Sequence, residues 1–236
     1  MITLYSYPEL FGLADNNPYG LKIYAFLRLC DLPFTHEHVF DASTAPRGQL
    51  PYIDDDGTIV GDSDGIIRHL TGKYRLTIDA GLSQRHQDTD LLVRRMLDDL
   101  YWVMSYSRWA DERYWRLFRD QLLATHARLT MAELDGGKTY NAKRYHYQGI
   151  GRYDPEQVYR RGLADLEALA HLVEGPFLFG ERPHSIDAAA YGFLANIHFY
   201  AIDTPLKQFL TSSPVLTRYV ELLHRTVTAK AARADR

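Results

Sequence analysis

The sequence lacks the features that define several protein classes. It has one cysteine, Cys30, among 236 residues, which excludes an internal disulfide framework and a Cys-x-x-Cys redox pair. No run of 18 apolar residues occurs, and residues 1–5 lack the basic and apolar stretches of a secretion signal. The formal net charge of −3 gives no overall attraction to nucleic acid or to an anionic membrane. We therefore expect a cytoplasmic protein with no membrane or nucleic-acid partner.

Patterns that bind metal ions or nucleotides are also scarce. His36 and His38 would place two imidazoles on one strand face, but no third ligand is evident nearby. We interpret both as solvent-facing histidines and predict no metal site. Gly149 and Gly151 lack the third glycine and the preceding strand of a dinucleotide-binding fingerprint.

The hydrophobic pattern changes character along the chain. Up to about residue 75, strand and helix signals alternate: a strand at residues 2–7, a helix at 19–30, a strand at 34–40, two strands around the Asp56-Gly57 turn, and a helix at about 64–73. This order predicts a small mixed sheet with helices packed on it. From about Ser83 the apolar period is 3.6, which predicts a bundle of helices. We expect an α/β domain over residues 1–77 and an all-helical domain over residues 84–236.

One stretch of the second half breaks the helical pattern. Residues 135–154 are rich in glycine, tyrosine and basic residues, and we predict a long loop there. Within it, residues 140–147 are either a lid or wall of a cleft or a solvated connector.

The most informative segment lies near the end of the first half. Leu50-Pro51 precedes a strand, and Asp62-Ser63 stands at the mouth of the next predicted helix. A helix N-terminus offers unpaired N–H groups and a positive dipole end, so a hydroxyl and a carboxylate there can hold both charges of an amino-acid-like ligand. The alternatives are that Pro51 is a plain loop proline and that Asp62 or Ser63 only caps the helix.

Together these segments resemble the cytosolic glutathione transferase family over nearly the whole chain. The most specific part is Leu50-Pro51 followed by Asp62-Ser63, where the family has a cis-proline and an acid–serine pair that hold glutathione. Residues 148–153, 177–180 and 183–187 resemble one branch, the failed-axon-connection and metaxin-like proteins. The resemblance implies a thioredoxin-like N-terminal domain, a helical C-terminal domain and a homodimer.

The resemblance also implies how glutathione, the co-substrate, is held. Leu50 would offer its backbone to the cysteinyl part, with Pro51 holding the bend. Ser63 would present its hydroxyl and N–H to the γ-glutamyl carboxylate, and the carboxylate of Asp62 or Asp64 would form an ion pair with the α-ammonium group. Lys22 could project toward the ligand carboxylates, but we interpret it as a surface lysine.

The sequence offers two candidates for the group that activates the thiol. Related branches place a catalytic serine or cysteine where this chain has Asn17, the predicted N-cap of the first helix. An amide can donate to a thiolate but cannot form a disulfide with it, so thioltransferase chemistry has no nucleophile here. Asn17 is thus either the catalytic donor or only a cap. Tyr7, at the end of the first strand, is the other candidate donor, unless it is a packing residue.

Aromatic residues concentrate in the first two helical segments of the second half: Tyr101, Trp102, Tyr106, Trp109, Tyr114, Trp115 and Phe118. They suit a small hydrophobic electrophile or form ordinary core. We interpret the arginines among them, including Arg108, as balanced by neighbouring carboxylates. The predicted function is glutathione transfer to a small electrophile. The alternative is a non-catalytic glutathione-binding or protein-interaction module on the same scaffold.

Overall fold

The computed structural model describes residues 1–234, with side chains through Lys230. A four-stranded sheet forms from β1 (Ile2–Ser6), β2 (Phe34–His38), β3 (Tyr52–Asp55) and β4 (Thr58–Gly61), in the spatial order β2-β1-β3-β4. β1 pairs with β2 in parallel, and the other two pairs are antiparallel. Helix α1 (Pro18–Leu29) connects β1 to β2, and α2 (Ser63–Lys73) follows β4. The predicted mixed sheet with helices on it is confirmed.

The second half is helical throughout its regular structure. Its helices are α3 (Gln84–Trp109), α4 (Glu112–Thr125), α5 (Met131–Gln148), α6 (Pro155–Leu172), α7 (Ser185–His198), α8 (Pro205–Ser212) and α9 (Pro214–Ala234). Local sequence explains many of the starts, because side chains of Ser83, Asp111, Asp154 and Thr204 accept hydrogen bonds from backbone N–H groups of the first turn. No helix in residues 1–234 is long and apolar enough to cross a membrane.

The predicted loop at residues 135–154 is wrong. A capping box between Thr130 and Glu133 starts α5, which continues to Gln148 and ends at Gly149 in a left-handed conformation with φ of 111°. The segment 140–147 is therefore part of a helix. The weak pattern has a physical reason: α5 buries only Leu134, Asn141 and Tyr145 along its 18 residues.

Two further expectations need correction. The apolar period from Ser83 onward includes Leu91 and Leu92 and predicts that both are buried, but they are 53% and 68% exposed, and the buried face of α3 begins at Val93. His36 is half-buried rather than solvent-facing, and its Nε2 lies 2.7 Å from the Oγ of the fully buried Ser6.

Helix α7 joins the two halves by packing along α1. Its Gly192 permits the close approach, since an added Cβ would lie 2.3 Å from the Pro18 carbonyl oxygen and 2.9 Å from the Lys22 nitrogen. The fully buried Asp187 fixes the start of α7: its carboxylate accepts from the N–H groups of Leu178 and His184 and from the Tyr219 hydroxyl. Close packing of α7 at Gly192 against Pro18 and Lys22 thus holds the start of α1 against the helical half.

Candidate active site

One large cavity lies between the N-termini of α1 and α2 on one side and helices α3 and α5 on the other. Its volume is about 990 Å³. All six residues that the sequence singled out line it: Tyr7, Asn17, Leu50, Pro51, Asp62 and Ser63. The structure therefore brings together residues from four separate segments of the first half.

Leu50 and Pro51 form the floor of the cavity next to β3. The peptide bond between them is cis. Pairing of β3 with β1 begins at Tyr52, opposite Tyr5, so the peptide groups of Leu50 lie outside that ladder. Both side chains are buried, which leaves backbone rather than side-chain polar groups for a ligand at this point.

Asp62 and Ser63 stand at the mouth of α2. Asp62 has a φ of 68° and caps the helix, since its Oδ1 accepts from the Gly65 N–H at 2.9 Å. Ser63 Oγ accepts from Lys22 Nζ at 2.9 Å, so the serine hydroxyl can still donate its proton to a carboxylate. The capping role of Asp62 and the ligand role expected of Ser63 are compatible in this geometry.

The interpretation of Lys22 as a surface lysine is wrong. The residue is 3% exposed, and its Nζ lies 2.6 Å from Asp64 Oδ1, which also accepts from Arg94 Nη1 at 3.2 Å. Burial lowers the pKa of Lys22, and Asp64 opposes that change. Burial by itself would raise the pKa of Asp64, but Lys22 and Arg94 hold it below its ordinary value. A buried charge network therefore supports the α2 end of the cavity.

Asn17 caps α1. Its Oδ1 accepts from the Tyr19 N–H at 3.0 Å, and among the described residues its amide nitrogen has no acceptor, so that amide can donate to a ligand. Backbone donors are scarce at this mouth: Pro18 has no N–H, and the Asn17 N–H donates to Asp15 Oδ1 at 2.6 Å. Side-chain groups must therefore supply much of any stabilisation of an anion here.

Tyr7 lines the same cavity. Burial raises the pKa of its phenol to about 12, and the neighbouring Tyr101 and Asp15 add to the effect. Tyr7 therefore remains a neutral hydrogen-bond donor across the physiological pH range. The structure brings both candidate donors, Tyr7 and Asn17, to the one cavity.

A layer of buried groups lies beneath the mouth of α1. Asp15 is fully buried, and burial raises the pKa of its carboxyl well above the ordinary value. The Asn16 carbonyl accepts from Arg108 Nη1 at 3.1 Å and from the Tyr200 hydroxyl at 3.0 Å. Arg108 also donates to the side-chain and backbone oxygens of Asn196. Sequence reasoning missed these contacts, which join residues 92 and 184 positions apart, and no local pattern marks them.

The opposite wall is aromatic and carries a positive charge. The Arg144 guanidinium lies 5.0 Å from the Trp102 ring, 5.9 Å from Tyr101 and 5.7 Å from Tyr140. Of the predicted aromatic cluster, Tyr101 and Trp102 line the large cavity, whereas Trp115 and Phe118 belong to the core. Within residues 1–234 no group of three or more side chains is arranged to hold a metal ion.

Comparison with known proteins agrees with this architecture. The family model for the glutathione S-transferase N-terminal domain matches residues 18–114, and that for the C-terminal domain matches residues 162–223. Isoprene-epoxide–glutathione S-transferase of Rhodococcus sp. (strain AD45) is 31% identical over 236 residues, covering 95% of this chain and 98% of the relative.

Two other proteins extend the comparison. Failed axon connections of Drosophila melanogaster is 28% identical over 89% of this chain, which spans 54% of that protein. The crystal structure of glutathione transferase GSTFuA3 from Phanerochaete chrysosporium superposes with a TM-score of 0.67 at 16% identity, covering 95% of this chain and 96% of that one.

The fold and the cavity together define a protein with a thioredoxin-like sheet, a helical bundle and a cleft between them that contains the N-termini of α1 and α2. The sequence matches are more specific. The chain belongs to the glutathione S-transferase family. The predicted resemblance to the failed-axon-connection branch is also confirmed.

Proposed function

We propose that this protein is a glutathione transferase that transfers the thiolate of glutathione to a small electrophile. One observation carries the proposal: a single cavity of about 990 Å³ contains the N-termini of α1 and α2, the Leu50-Pro51 bend and an aromatic wall. Each part would act on a different group. The N-terminus of α2 would bind the charged end of glutathione, and the bend would bind its cysteinyl backbone. The N-terminus of α1 would stabilise the thiolate, and the aromatic wall would contact the electrophile.

Binding of glutathione would use the α2 mouth and the bend. Ser63 would donate its hydroxyl and N–H to the γ-glutamyl carboxylate, and the carboxylate of Asp62 or Asp64 would face the α-ammonium group. Charge-assisted hydrogen bonds of this kind contribute about 1.5–3 kcal/mol each. The Leu50 backbone would hold the cysteinyl part and direct the sulfur toward α1.

Thiol activation would take place at the mouth of α1. A free thiol has a pKa of about 8.5, and lowering it by two units requires about 2.7 kcal/mol of preferential stabilisation of the thiolate. Asn17 is the first candidate donor because its amide nitrogen is left for a ligand, and Tyr7 is the second. The thiol proton leaves to solvent.

A small epoxide is the electrophile class that we propose to test first. The 31% identical relative bears an isoprene epoxide in its name, and the aromatic wall of α3 and α5 suits a small apolar molecule. Thiolate attack forms a carbon–sulfur bond and breaks the carbon–oxygen bond, and the resulting alkoxide takes a proton from water.

We also propose a homodimer and a cytoplasmic location. Leu91 and Leu92 on α3 are exposed apolar side chains that contact with a second copy would remove from water. Light scattering that returns the mass of one chain would remove the dimer from the proposal.

The test is an ultraviolet difference titration of bound glutathione from pH 5 to 9, which reads thiolate absorbance directly. Wild type should show a thiolate well below the pKa of the free thiol. Asn17→Ala should raise that pKa, whereas Ser63→Ala should weaken binding roughly tenfold or more with little change in the pKa. Ser212→Ala, at an exposed serine of α8, is the matched control and should change neither.

The outcomes separate the transferase from the alternative function. A thiolate that persists in Asn17→Ala would transfer the donor role to Tyr7 or to backbone groups. Saturable binding with an unshifted thiol pKa would favour a non-catalytic glutathione-binding module, which Asn17 in place of serine or cysteine permits. Absence of saturable binding would overturn the glutathione proposal.

A further inference from the structure

We propose that Arg108 is a positioning residue whose uncompensated charge beneath the first turn of α1 favours the thiolate over the thiol of bound glutathione. This inference rests on the proposed function. It identifies a group that does not touch the ligand but acts through the turn that presents Asn17.

The contacts of Arg108 fix its guanidinium under that turn. The residue lies in the last turn of α3 and is 7% exposed. Nη1 donates to the Asn16 carbonyl at 3.1 Å and to Asn196 Oδ1 at 3.2 Å, and Nη2 donates to the Asn196 carbonyl at 2.7 Å. The guanidinium carbon lies 4.2 Å from the centre of the Tyr200 ring. All of these partners are neutral.

No carboxylate among the described residues forms an ion pair with Arg108, although buried cations are ordinarily paired. Tyr145 and Tyr200 lie close enough to Arg108 for its charge to oppose the rise in their pKa values, and Asp15 lies close enough to Tyr200 to raise the pKa of that phenol. Burial raises the pKa of the Asp15 carboxyl well above its usual range, and it also raises the pKa values of both phenols. These three groups are therefore held toward their neutral forms, and the charge of Arg108 remains uncompensated.

An anion at the mouth of α1 would supply the missing compensation. The Asn16 carbonyl group, which accepts from Arg108, is bonded directly to the backbone nitrogen of Asn17. Arg108 and Asn17 also line the same small cavity of about 40 Å³. Two unit charges about 8 Å apart at an effective dielectric of about 20 interact strongly enough to change a pKa by roughly one to two units. The effect is largest where few backbone donors compete, as at this helix mouth.

The test compares variants that separate charge from position, using the ultraviolet titration of glutathione bound to the full chain. Arg108→Gln removes the charge and should raise the thiol pKa by about one unit. Arg108→Lys keeps the charge and should retain most of the lowered value. Tyr200→Phe is the matched control, because it removes a donor to the same Asn16 carbonyl without changing any charge and should leave the thiol pKa unchanged.

A second variant guards against misfolding of Arg108→Gln. Asn196→Asp preserves the side-chain shape and places a carboxylate on the guanidinium, so it should raise the thiol pKa while Arg108 stays in place. For either variant the turnover number should fall more at pH 6.5 than at pH 9, where the thiol ionises without help.

Two results would overturn the inference while leaving the proposed function intact. One is a lowered thiol pKa in wild type that does not change in Arg108→Gln or Asn196→Asp. The other is a rise in Tyr200→Phe as large as that in Arg108→Gln, which would show that only the position of the turn matters. If wild type itself shows no lowered pKa, the proposed function fails first.

Discussion

At the scale of single residues, His36 shows how a buried side chain ties stability to pH. Its ring is half-buried on β2, and Nε2 lies 2.7 Å from the hydroxyl of Ser6, which is fully buried. Burial, with smaller contributions from the nearby His38 ring and Arg28 guanidinium, lowers the pKa of His36 to about 4. The folded protein therefore keeps this imidazole neutral at pH values where the unfolded chain protonates it.

We predict that His36 destabilises the fold on acidification. Between the unfolded pKa of about 6.5 and the folded pKa of about 4, the unfolded state binds more protons than the folded state at His36. Protonation of His36 therefore costs no stability well above pH 6.5, and the free energy of unfolding decreases as the pH falls toward 4. His36→Gln keeps a neutral group opposite Ser6. Urea unfolding should show wild type losing about 2 kcal/mol relative to His36→Gln between pH 7.5 and 4.5. A difference that does not depend on pH would contradict the assignment.

The roles of some single residues could be predicted from the sequence, whereas those of others could not. Asn17, Asp62 and Pro51 were identified because caps and proline bends depend on a few neighbouring residues. Lys22 was misassigned because its partner Ser63 lies 41 positions away. Arg108 was taken as balanced by nearby acids, whereas its partner Asn196 lies 88 positions away. Local chemistry predicts the cap of a helix but not which later residue will lie beneath it.

At the scale of elements, the contact between α1 and α7 depends on one missing methyl group. Gly192 faces the backbone of α1 at Pro18 and Lys22, and Tyr19 and Phe193 pack edge to face with ring centres 5.4 Å apart. Since the atoms that crowd Gly192 are backbone atoms, no side-chain rotation can make room for a larger residue.

We predict that Gly192→Ala separates the two helices and lowers the free energy of unfolding by roughly 2–3 kcal/mol. Gly72→Ala is the matched control: Gly72 lies in α2 with no atom within 4 Å of its added Cβ, so the change should be neutral or stabilising by up to about 1 kcal/mol. Urea unfolding measures both. Equal effects of the two substitutions would show that α1 and α7 tolerate a wider spacing.

Most elements were predictable, and the exception is instructive. The strands of the sheet and helices such as α2 follow from alternation, 3.6-residue periodicity and turn residues, which are local signals. Helix α5 was missed because Gly136 and Gly137 weaken helix propensity and because its few buried residues leave no apolar stripe. An element that is mostly solvent-exposed leaves little periodicity in its sequence.

At the scale of the whole molecule, the proposed division into residues 1–77 and 84–236 runs through a closely packed boundary. Helix α1 belongs to the first part by sequence, yet its outer face packs on α7 of the second. The Asn16 carbonyl likewise takes its two described side-chain donors from the second part. The two parts are thus distinct in architecture but share the site.

We predict that residues 1–77 produced alone do not fold cooperatively, because the α7-facing side of α1 would be exposed to water. Circular dichroism during urea unfolding should show a shallow change without a transition. Adding residues 84–236 as a separate chain should restore a cooperative transition and glutathione-dependent stabilisation. A sharp transition in the short fragment, with glutathione binding, would establish two independent folding units.

The hydrogen bond from Tyr200 to the Asn16 carbonyl spans 184 positions and has a consequence for protein synthesis. The ribosome adds Asn16 to the chain 184 residues before Tyr200, so the turn before α1 lacks this hydrogen bond until the later segment has been made. We therefore expect the proposed glutathione site to be incomplete on a nascent chain that has not reached Tyr200. A chain that extends past Tyr200 is the first in which the Asn16 carbonyl can take both of the side-chain donors that hold it in the folded protein.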